Sequence, residues 1–204
     1  MARKTDIPNR ILDAVLELAP ITGWNRLSFS EIATEAGVAL DEVHAAFPTK
    51  SSLLAGLLTR ADHRVLAVGA ADKDEPARDR LFDVIMRRFD ALGPHKQAIS
   101  AILRDLPADP MACLDTLPRF ATSMAWMLEA AGLSSNGLGG AIRIKGLSLI
   151  YLATLRVWLT DDSEDHSRTM AALDRNLKKA ERWVRDCCAF PRCRPWRGKR
   201  HGKT

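Results

Sequence analysis

The sequence predicts an all-α protein in which a small N-terminal helix-turn-helix domain precedes a larger helical domain. Three observations lead to this prediction. Apolar residues recur at helical spacing through most of the 204 residues, no segment has a convincing strand pattern, and Gly37 separates two short helical patterns. With 47% hydrophobic residues, the chain can bury a substantial core.

The first helix begins near Pro8, because proline is well tolerated in a first helical turn. Asp6 or Thr5 supplies its cap. Apolar residues at helical spacing follow, and Pro20 and Gly23 end the pattern. We expect the residues just after Gly23 to close the core of the small domain.

Two short helices and a longer one follow this first helix. Ser28 and the glutamate three residues later form a capping box at the start of the second helix. Gly37 supplies the turn, since glycine tolerates a positive φ. The third helix spans 40–47, and Thr49 caps a fourth that continues as far as Val68.

The larger domain starts after a polar break at 72–76. We predict domains at 1–72 and 73–188, followed by a basic tail at 189–204. Prolines 107 and 110 mark a loop, Pro118 is expected to kink its helix, and the glycine-rich segment 134–140 is expected to be a flexible loop. The segments predicted as helices are about 81–92, 95–106, 111–131, 141–159 and 164–187.

The positive charge of the chain is concentrated at its C-terminal end. The net charge is +5, and residues 185–204 carry seven bases and one acid, or +6, which leaves −1 for the rest. Residues 1–60 carry six bases and seven acids, again −1. A domain that binds a polyanion usually has a positive face, so this balance is unusual for a DNA-binding module.

The sequence indicates a cytoplasmic protein without a metal site or cofactor. No run approaches the roughly 20 apolar residues that cross a bilayer, and the N-terminal residues do not resemble a signal peptide. The four cysteines are expected to be free thiols, although Cys187, Cys188 and Cys193 with His201 leave a zinc site as an alternative.

The sequence also predicts that the protein is not an enzyme. It contains no His-Glu-x-x-His, no phosphate-binding loop and no Gly-x-Ser-x-Gly. The glycines at 137, 139 and 140 follow no strand, so they do not form a nucleotide-binding fingerprint.

Residues 7–60 resemble the N-terminal domain of TetR-family transcriptional regulators. The resemblance is carried by the Gly23-Trp24 pair, the run 32–38, and the motif Phe47-Pro48-x-Lys50 followed by two leucines. It implies an all-helical homodimer whose larger domain binds a small ligand and dimerises through its last two long helices. It also implies that ligand entry changes the spacing of the two recognition helices, so that the protein acts as a ligand-responsive regulator, most simply a repressor.

The resemblance makes 40–47 the recognition helix, where this chain departs from the family pattern. The family often has serine or threonine near position 39, small or polar residues at 41 and 42, and tyrosine at 44. A carboxylate can accept from cytosine N4, but acids in a first helical turn also favour the helix dipole, and both interpretations stay open. The residues expected at the DNA interface are Arg3, Lys4, Ser28, Ala39, Leu40, Asp41, Glu42, His44, Thr49 and Lys50.

A second, shorter resemblance lies near the C-terminal end. The pattern Trp158-x-x-Asp161-x-Ser163, continued by Thr169 and Arg175, is similar to the TetR-fold accessory proteins of ubiquinone biosynthesis. It implies the alternative function of a lipid-binding protein that has lost DNA binding and supports a partner enzyme.

The last predicted helix combines lysines and arginines with interfacial aromatic residues. A basic amphipathic helix of this kind can lie on anionic lipid, which would give a peripheral membrane contact. The same pattern also fits a helix of the dimer interface followed by a disordered basic tail, so both alternatives remain.

Methionine and aromatic residues at helical spacing mark the core of the larger domain, and they also suit an adaptable apolar ligand pocket. Arg119, Arg143 or Arg156 is expected to meet an acidic or phenolic head group of such a ligand. The residues expected at the ligand site are Phe82, Met86, Phe89, Met124, Trp126, Met127, Tyr151 and Trp158.

Overall fold

The chain folds into a bundle of α helices. The computed structural model describes residues 6–71 and 74–189, with side chains as far as Trp183. No strand occurs within these described ranges, which confirms the all-α prediction. The helices, numbered α1 to α9 in chain order, are Ile7–Thr22, Phe29–Ala36, Leu40–Ala46, Lys50–Leu66, Ala77–Leu92, Lys96–Asp105, Pro110–Ala130, Gly137–Leu159 and Ser167–Ala189.

The helix-turn-helix consists of α2 and α3. Ser28 caps α2 as predicted, because its Oγ accepts from the Glu31 backbone N–H at 3.2 Å and the Glu31 carboxylate accepts from the Ser28 N–H at 2.8 Å. Gly37 follows α2 with φ of +60°, and the Val38 N–H reaches back to the Ala33 carbonyl at 3.0 Å. This left-handed glycine turns the chain into α3.

The core of the small domain extends into the larger one. Its buried side chains come from α1 to α4, with Trp24 and Leu27 enclosed as predicted. Two further members, Ala98 and Ile102, belong to α6. The cores of the two predicted domains are therefore joined by α6 as well as by α4, which runs from one to the other.

The larger domain packs α5, α7, α8 and α9 around a set of aromatic residues. The Phe89 and Tyr151 rings stack with centroids 5.3 Å apart and planes 3° from parallel. Trp158 lies against the same phenylalanine at 5.6 Å. Stacked rings of this kind favour one packing arrangement over others.

The prediction that the glycine-rich segment 134–140 forms a flexible loop is wrong, because α8 already begins at Gly137. The Glu129 carboxylate accepts from the backbone N–H of Ser135 at 2.7 Å, which fixes the short connection. At Gly140, a Cβ atom would lie 2.0 Å from the Ser135 carbonyl oxygen. Here glycine allows two backbone segments to approach closely inside a helix.

Other predicted boundaries also differ from the structure. Pro20 lies inside the last turn of α1, which continues to Thr22. α4 ends at Leu66 rather than Val68, and the Gly93-Pro94 step forms a 3-10 turn, Gly93–His95, that leads directly into α6. The proline occupies the first turn of this segment, where its missing N–H leaves no bond unmade.

The prediction that no segment approaches a membrane-spanning run is wrong by length and composition, because α8 is long and apolar enough to cross a bilayer. It packs against both α7 and α9. Core and interface helices of soluble proteins meet the same two criteria, so this feature by itself does not indicate a membrane span.

Candidate ligand cavity and nucleic-acid interface

The outer face of α3 is apolar and acidic. Leu40, Asp41 and His44 are exposed and, with Phe29 and Pro48, border a shallow groove. Such a face has little to attract phosphates, so any base contact from it would come from Asp41, His44 or the apolar edge of Leu40.

The two adjacent acids of α3, Asp41 and Glu42, have different hydrogen-bonding environments. The Glu42 carboxylate accepts from the Ala39 backbone N–H at 3.0 Å and so satisfies a donor at the start of the helix. Ala39 has no side-chain oxygen with which to return the bond. No described group hydrogen-bonds Asp41, which leaves its carboxylate toward solvent.

Lys50 is held by the protein itself. Its Nζ donates to the carbonyl oxygens of Trp24 at 2.8 Å and Asn25 at 3.0 Å, and it lies 5.5 Å from the centre of the Trp24 ring. Burial lowers the pKa of its ammonium, against the opposing effect of Asp109 and Glu31. The preceding Thr49 accepts from the Ser52 backbone N–H at 3.1 Å and caps α4. Both residues thus have structural roles.

The arginines of the small domain also have intramolecular partners. Arg10 donates to the carbonyl oxygens of Ala36 and Gly37 at the end of α2. Arg60 pairs with Asp13 at 2.6 Å. Arg26 donates through Nε to Thr22, and its exposed side chain still has donors to offer. The predicted contacts Arg3 and Lys4 lie outside the described residues.

An apolar cavity of about 250 Å³ lies between α4, α5, α6, α7 and α8. Its walls are mainly leucine and isoleucine side chains. Leu117 and Leu152 are partly exposed and mark its mouth, whereas Arg88 and Tyr151 are the buried polar part of its lining. The lining residues are Leu54, Leu57, Leu58, Ala61, Arg88, Leu92, Ile99, Ile102, Leu103, Leu106, Cys113, Thr116, Leu117, Phe120, Tyr151, Leu152 and Leu155.

Arg88 is the centre of a buried polar cluster beside this cavity. It forms an ion pair with Asp62 of α4, and its Nε donates to the Tyr151 hydroxyl at 3.3 Å. Ser123 donates to the same Asp62 oxygen at 2.6 Å. Burial disfavours the charge of Arg88, but Tyr151 and Asp62 outweigh it, so the pKa of the guanidinium is raised.

Only one predicted ligand residue lines the cavity, namely Tyr151. Trp126 is 52% exposed, so the expectation that it supplies core is wrong. Phe82 and Met86 are partly buried and pack against the core of the larger domain. The remaining predicted residues are buried in that core, behind the cavity wall: Phe89, Met124, Met127 and Trp158.

The charged residue beside the cavity is Arg88 rather than one of the three arginines named from the sequence. Arg119 and Arg156 are exposed, and Arg143 donates to the Ser134 carbonyl at 2.8 Å. The sequence contained a pattern that could have identified Arg88, because this residue falls on the apolar face of α5 between Ile85 and Leu92. A charged residue on a core-facing stripe indicates a buried partner.

Asp161 organises the corner between α8 and α9. Its carboxylate accepts from the backbone N–H and Oγ1 of Thr169 at 2.8 and 2.7 Å and from the Ser163 Oγ at 2.5 Å. The residues that carry the second resemblance therefore tie one helix to the next. His166, with φ of +53°, ends this corner, so α9 begins at Ser167 rather than at 164.

Comparison with solved structures gives matches to transcriptional regulators with the TetR fold. A TetR regulator from Nitrosomonas europaea is 27% identical, with a TM-score of 0.68 over 85% of this chain and 97% of that one. A regulator from Rhodococcus sp. RHA1 is 19% identical, with a TM-score of 0.56 over 87% and 96%. One from Streptomyces coelicolor is 20% identical, with a TM-score of 0.57 over 90% and 85%.

Comparison with sequences adds one family. The COQ9 family model matches residues 143–183, which form most of α8, the corner that follows it and α9 as far as Trp183. No curated protein matches the chain. The predicted resemblance to TetR-family regulators and the weaker C-terminal resemblance are both confirmed. The molecule thus has the TetR-family fold.

Proposed function

We propose that this chain is a cytoplasmic, non-catalytic transcriptional regulator of the TetR type, a repressor whose hold on DNA responds to a small apolar ligand. The observation that carries the proposal is the position of the cavity. Leu54 and Ile102 line it and also belong to the core of the helix-turn-helix domain. A ligand in the cavity would therefore contact side chains that also pack in the core of the helix-turn-helix domain.

A second connection joins the cavity helix α6 to the start of the helix-turn-helix. The Asn25 side chain donates to the Asp105 carbonyl at 3.2 Å, and the Asn25 backbone N–H points to the Asp105 carboxylate at 3.4 Å. A ligand that displaces Ile99 and Leu103 moves α6, and this contact carries the movement to the residues before α2. Effector binding and DNA release would then both depend on the position of α6, so that one would be coupled to the other.

The acidic recognition helix makes DNA binding the part of the proposal that most needs a test. The experiment is selection of genomic fragments by the purified full-length chain, followed by titration of the enriched sequence at several salt concentrations. We expect one enriched sequence that keeps its advantage over unrelated DNA as salt rises. Failure to enrich any sequence, with all binding lost uniformly at moderate salt, would contradict the proposal.

We also propose that the chain forms a homodimer through α8 and α9. Ile142, Leu149 and Leu152 are exposed on α8 at spacings of seven and three, so they share one helix face. Trp183 is exposed on α9, which packs against α8. An apolar stripe of this size on two adjacent helices is typical of an interface between subunits.

The alternative function is a lipid-binding accessory role in ubiquinone biosynthesis, with a peripheral membrane contact through α9. The COQ9 match to residues 143–183 favours it. Two observations weigh against it. The matched pattern holds a structural corner at Asp161, and the cavity of about 250 Å³ is too small to enclose an isoprenoid quinone or a phospholipid.

Mass spectrometry of the natively purified protein separates the two functions. A co-purified isoprenoid or phospholipid, together with binding to vesicles that contain anionic lipid, would favour the accessory role. A protein without lipid that enriches a DNA sequence favours the regulator.

A further inference from the structure

The cavity has a single place at which it can donate a hydrogen bond to a ligand. Four polar residues line it. Thr116 donates to the Ala112 carbonyl at 2.7 Å, and Cys113 lies 3.4 Å from the Leu106 carbonyl, so both are engaged with their own backbone. The two that remain are Arg88 and Tyr151, which lie side by side in the buried part of the lining.

The Tyr151 hydroxyl has a hydrogen to donate. It accepts from Arg88 Nε, and no described residue accepts its own proton. Stacking on Phe89 at 5.3 Å fixes the ring, so the hydroxyl oxygen cannot move toward a more distant acceptor. A buried hydroxyl without an acceptor favours a ligand that supplies one.

The charge at this place is already balanced. Asp62 pairs with Arg88 from the side of α4 and receives Ser123 as well, but neither Asp62 nor Ser123 lines the cavity. A ligand carboxylate would meet a guanidinium that is already paired with Asp62, and the Asp62 carboxylate would repel it. Burying that additional negative charge is unfavourable, whereas a neutral acceptor adds none.

The volume of the cavity limits the size of the ligand that it can hold. A dry cavity of about 150 Å³ holds one benzene molecule. The cavity here measures about 250 Å³, and by that measure it takes roughly ten to fifteen non-hydrogen atoms. A longer chain would have to leave through the mouth beside Leu117 and Leu152.

We propose that the cavity selects an uncharged, largely apolar molecule, such as a substituted ring, that carries one hydrogen-bond acceptor of the carbonyl type, with the Tyr151 hydroxyl, itself bonded by Arg88, as the donor that positions it. This inference rests on the ligand-binding part of the proposed function and names the class of ligand. It excludes fatty acids and other carboxylates as the preferred effector.

Three probes of nearly equal size test the selectivity by isothermal titration calorimetry on the full-length protein without DNA. Butyrophenone carries a carbonyl, butylbenzene has no acceptor, and para-propylbenzoate carries a charge. We expect the ketone to bind roughly tenfold more tightly than either of the others, as one buried hydrogen bond would give. Equal binding of ketone and hydrocarbon, a preference for the carboxylate, or no binding of any probe would overturn the proposal.

Two variants locate the selectivity. Tyr151→Phe keeps the stacked ring and removes the donor, so the ketone should fall to the affinity of butylbenzene while butylbenzene itself is unchanged. Asp62→Asn keeps a partner for Arg88 and Ser123 but removes the negative charge, so para-propylbenzoate should now bind more tightly than the ketone. An unchanged order of affinities in Tyr151→Phe contradicts the proposal even if Asp62→Asn fails to fold.

The DNA experiment is independent of this one. A chain that enriches no DNA sequence but prefers the ketone refutes the regulator and keeps the ligand class. A chain that binds a DNA sequence but does not discriminate among the probes refutes the proposed ligand class and keeps the regulator.

Discussion

Most of the positively charged side chains described in the helix-turn-helix domain bind other groups of the same chain, which leaves few of them to contact DNA. Arg10 closes the end of α2, Lys50 joins α4 to the chain after α1, and Arg60 pairs with Asp13. Charged donors on buried or partly buried carbonyls stabilise the fold more than neutral ones do. Among the described arginines and lysines of residues 6–60, Arg26 is the one with an exposed side chain, and so it is the best placed of these to reach a phosphate.

Lys50→Met should destabilise the fold by roughly 1–3 kcal/mol, because the carbonyl oxygens of Trp24 and Asn25 lose a charged donor. Urea unfolding of the full-length chain measures it. The control is Lys179→Met, an exposed site on α9, where we expect a change of no more than about 0.5 kcal/mol. If Lys50→Met kept full stability but reduced the dependence of DNA affinity on salt, the lysine would be a phosphate contact instead.

Asp41→Lys should raise the affinity for unrelated duplex DNA roughly three- to tenfold at low salt, since it replaces a repulsive charge with an attractive one near phosphates. Glu42 is unsuitable for this test because it holds the start of α3. Glu35→Lys, at an exposed site on α2, serves as the matched control. Loss of binding to the enriched sequence in Asp41→Lys alone would identify Asp41 as a base-reading residue. Fluorescence anisotropy reports both affinities.

Among the helices, α9 depends on a residue that lies outside it. The carboxylate of Asp161, six positions before Ser167, accepts from the backbone N–H of Thr169 in the first turn. Burial would raise the pKa of Asp161, but the hydrogen bonds from Ser163 and Thr169 prevail and hold this pKa well below its ordinary value. The position of α9 against α8 therefore depends on an ionised carboxylate.

Asp161→Asn should lower the free energy of unfolding by roughly 1–2 kcal/mol near neutral pH, as expected when a capping carboxylate is lost. The folded pKa is depressed, so the stabilisation is fully present above the ordinary pKa of about 3.9 and is lost as the pH falls below it. The deficit of the variant relative to the wild type should therefore shrink toward about pH 3. Chemical denaturation between these pH values measures it.

Asp162→Asn is the control for this prediction, because the neighbouring carboxylate is exposed and its nearest cation, Lys96, is 3.8 Å away. We expect at most a few tenths of a kcal/mol from it. A constant deficit of Asp161→Asn at all pH values would contradict the role assigned to the ionised form.

At the scale of the whole molecule, the proposed mechanism depends on the surface of α8 and on the side chains of α4 and α6 that the cavity shares with the helix-turn-helix core. The cavity lies within one subunit, and one layer of side chains, among them Leu54 and Ile102, separates it from the helix-turn-helix core. A homodimer through α8 would fix two such subunits relative to each other. In the proposed mechanism, a ligand-induced movement of α6 would change the distance between the two recognition helices.

Leu149→Glu should weaken the dimer at least about a hundredfold, because it places a charge in the apolar interface proposed for α8. Leu149 is 71% exposed within the single chain, so the variant should fold normally. Ile21→Glu, at an exposed apolar site on α1, is the control and should leave the dimer intact. Sedimentation velocity distinguishes the outcomes, and a Leu149→Glu dimer of unchanged strength would rule out this face.

Local patterns predicted the fold well where neighbours in sequence decide the structure. The capping box at Ser28, the glycine turn at Gly37 and the spacing of apolar residues all act within a few residues, so the helix-turn-helix could be predicted closely. Gly140 was misjudged because its role is a close approach to Ser135, which spacing alone does not reveal.

The sequence by itself determined the helical class, the helix-turn-helix and the acidic character of α3, because these follow from composition and local periodicity. Only the tertiary structure decided which charges are free and which groups face the cavity. Lys50 is engaged by carbonyls 25 and 26 positions away, and Arg88 meets Tyr151 across 63 positions. Such pairings depend on how helices pack, and helix packing brings together side chains that no local pattern relates.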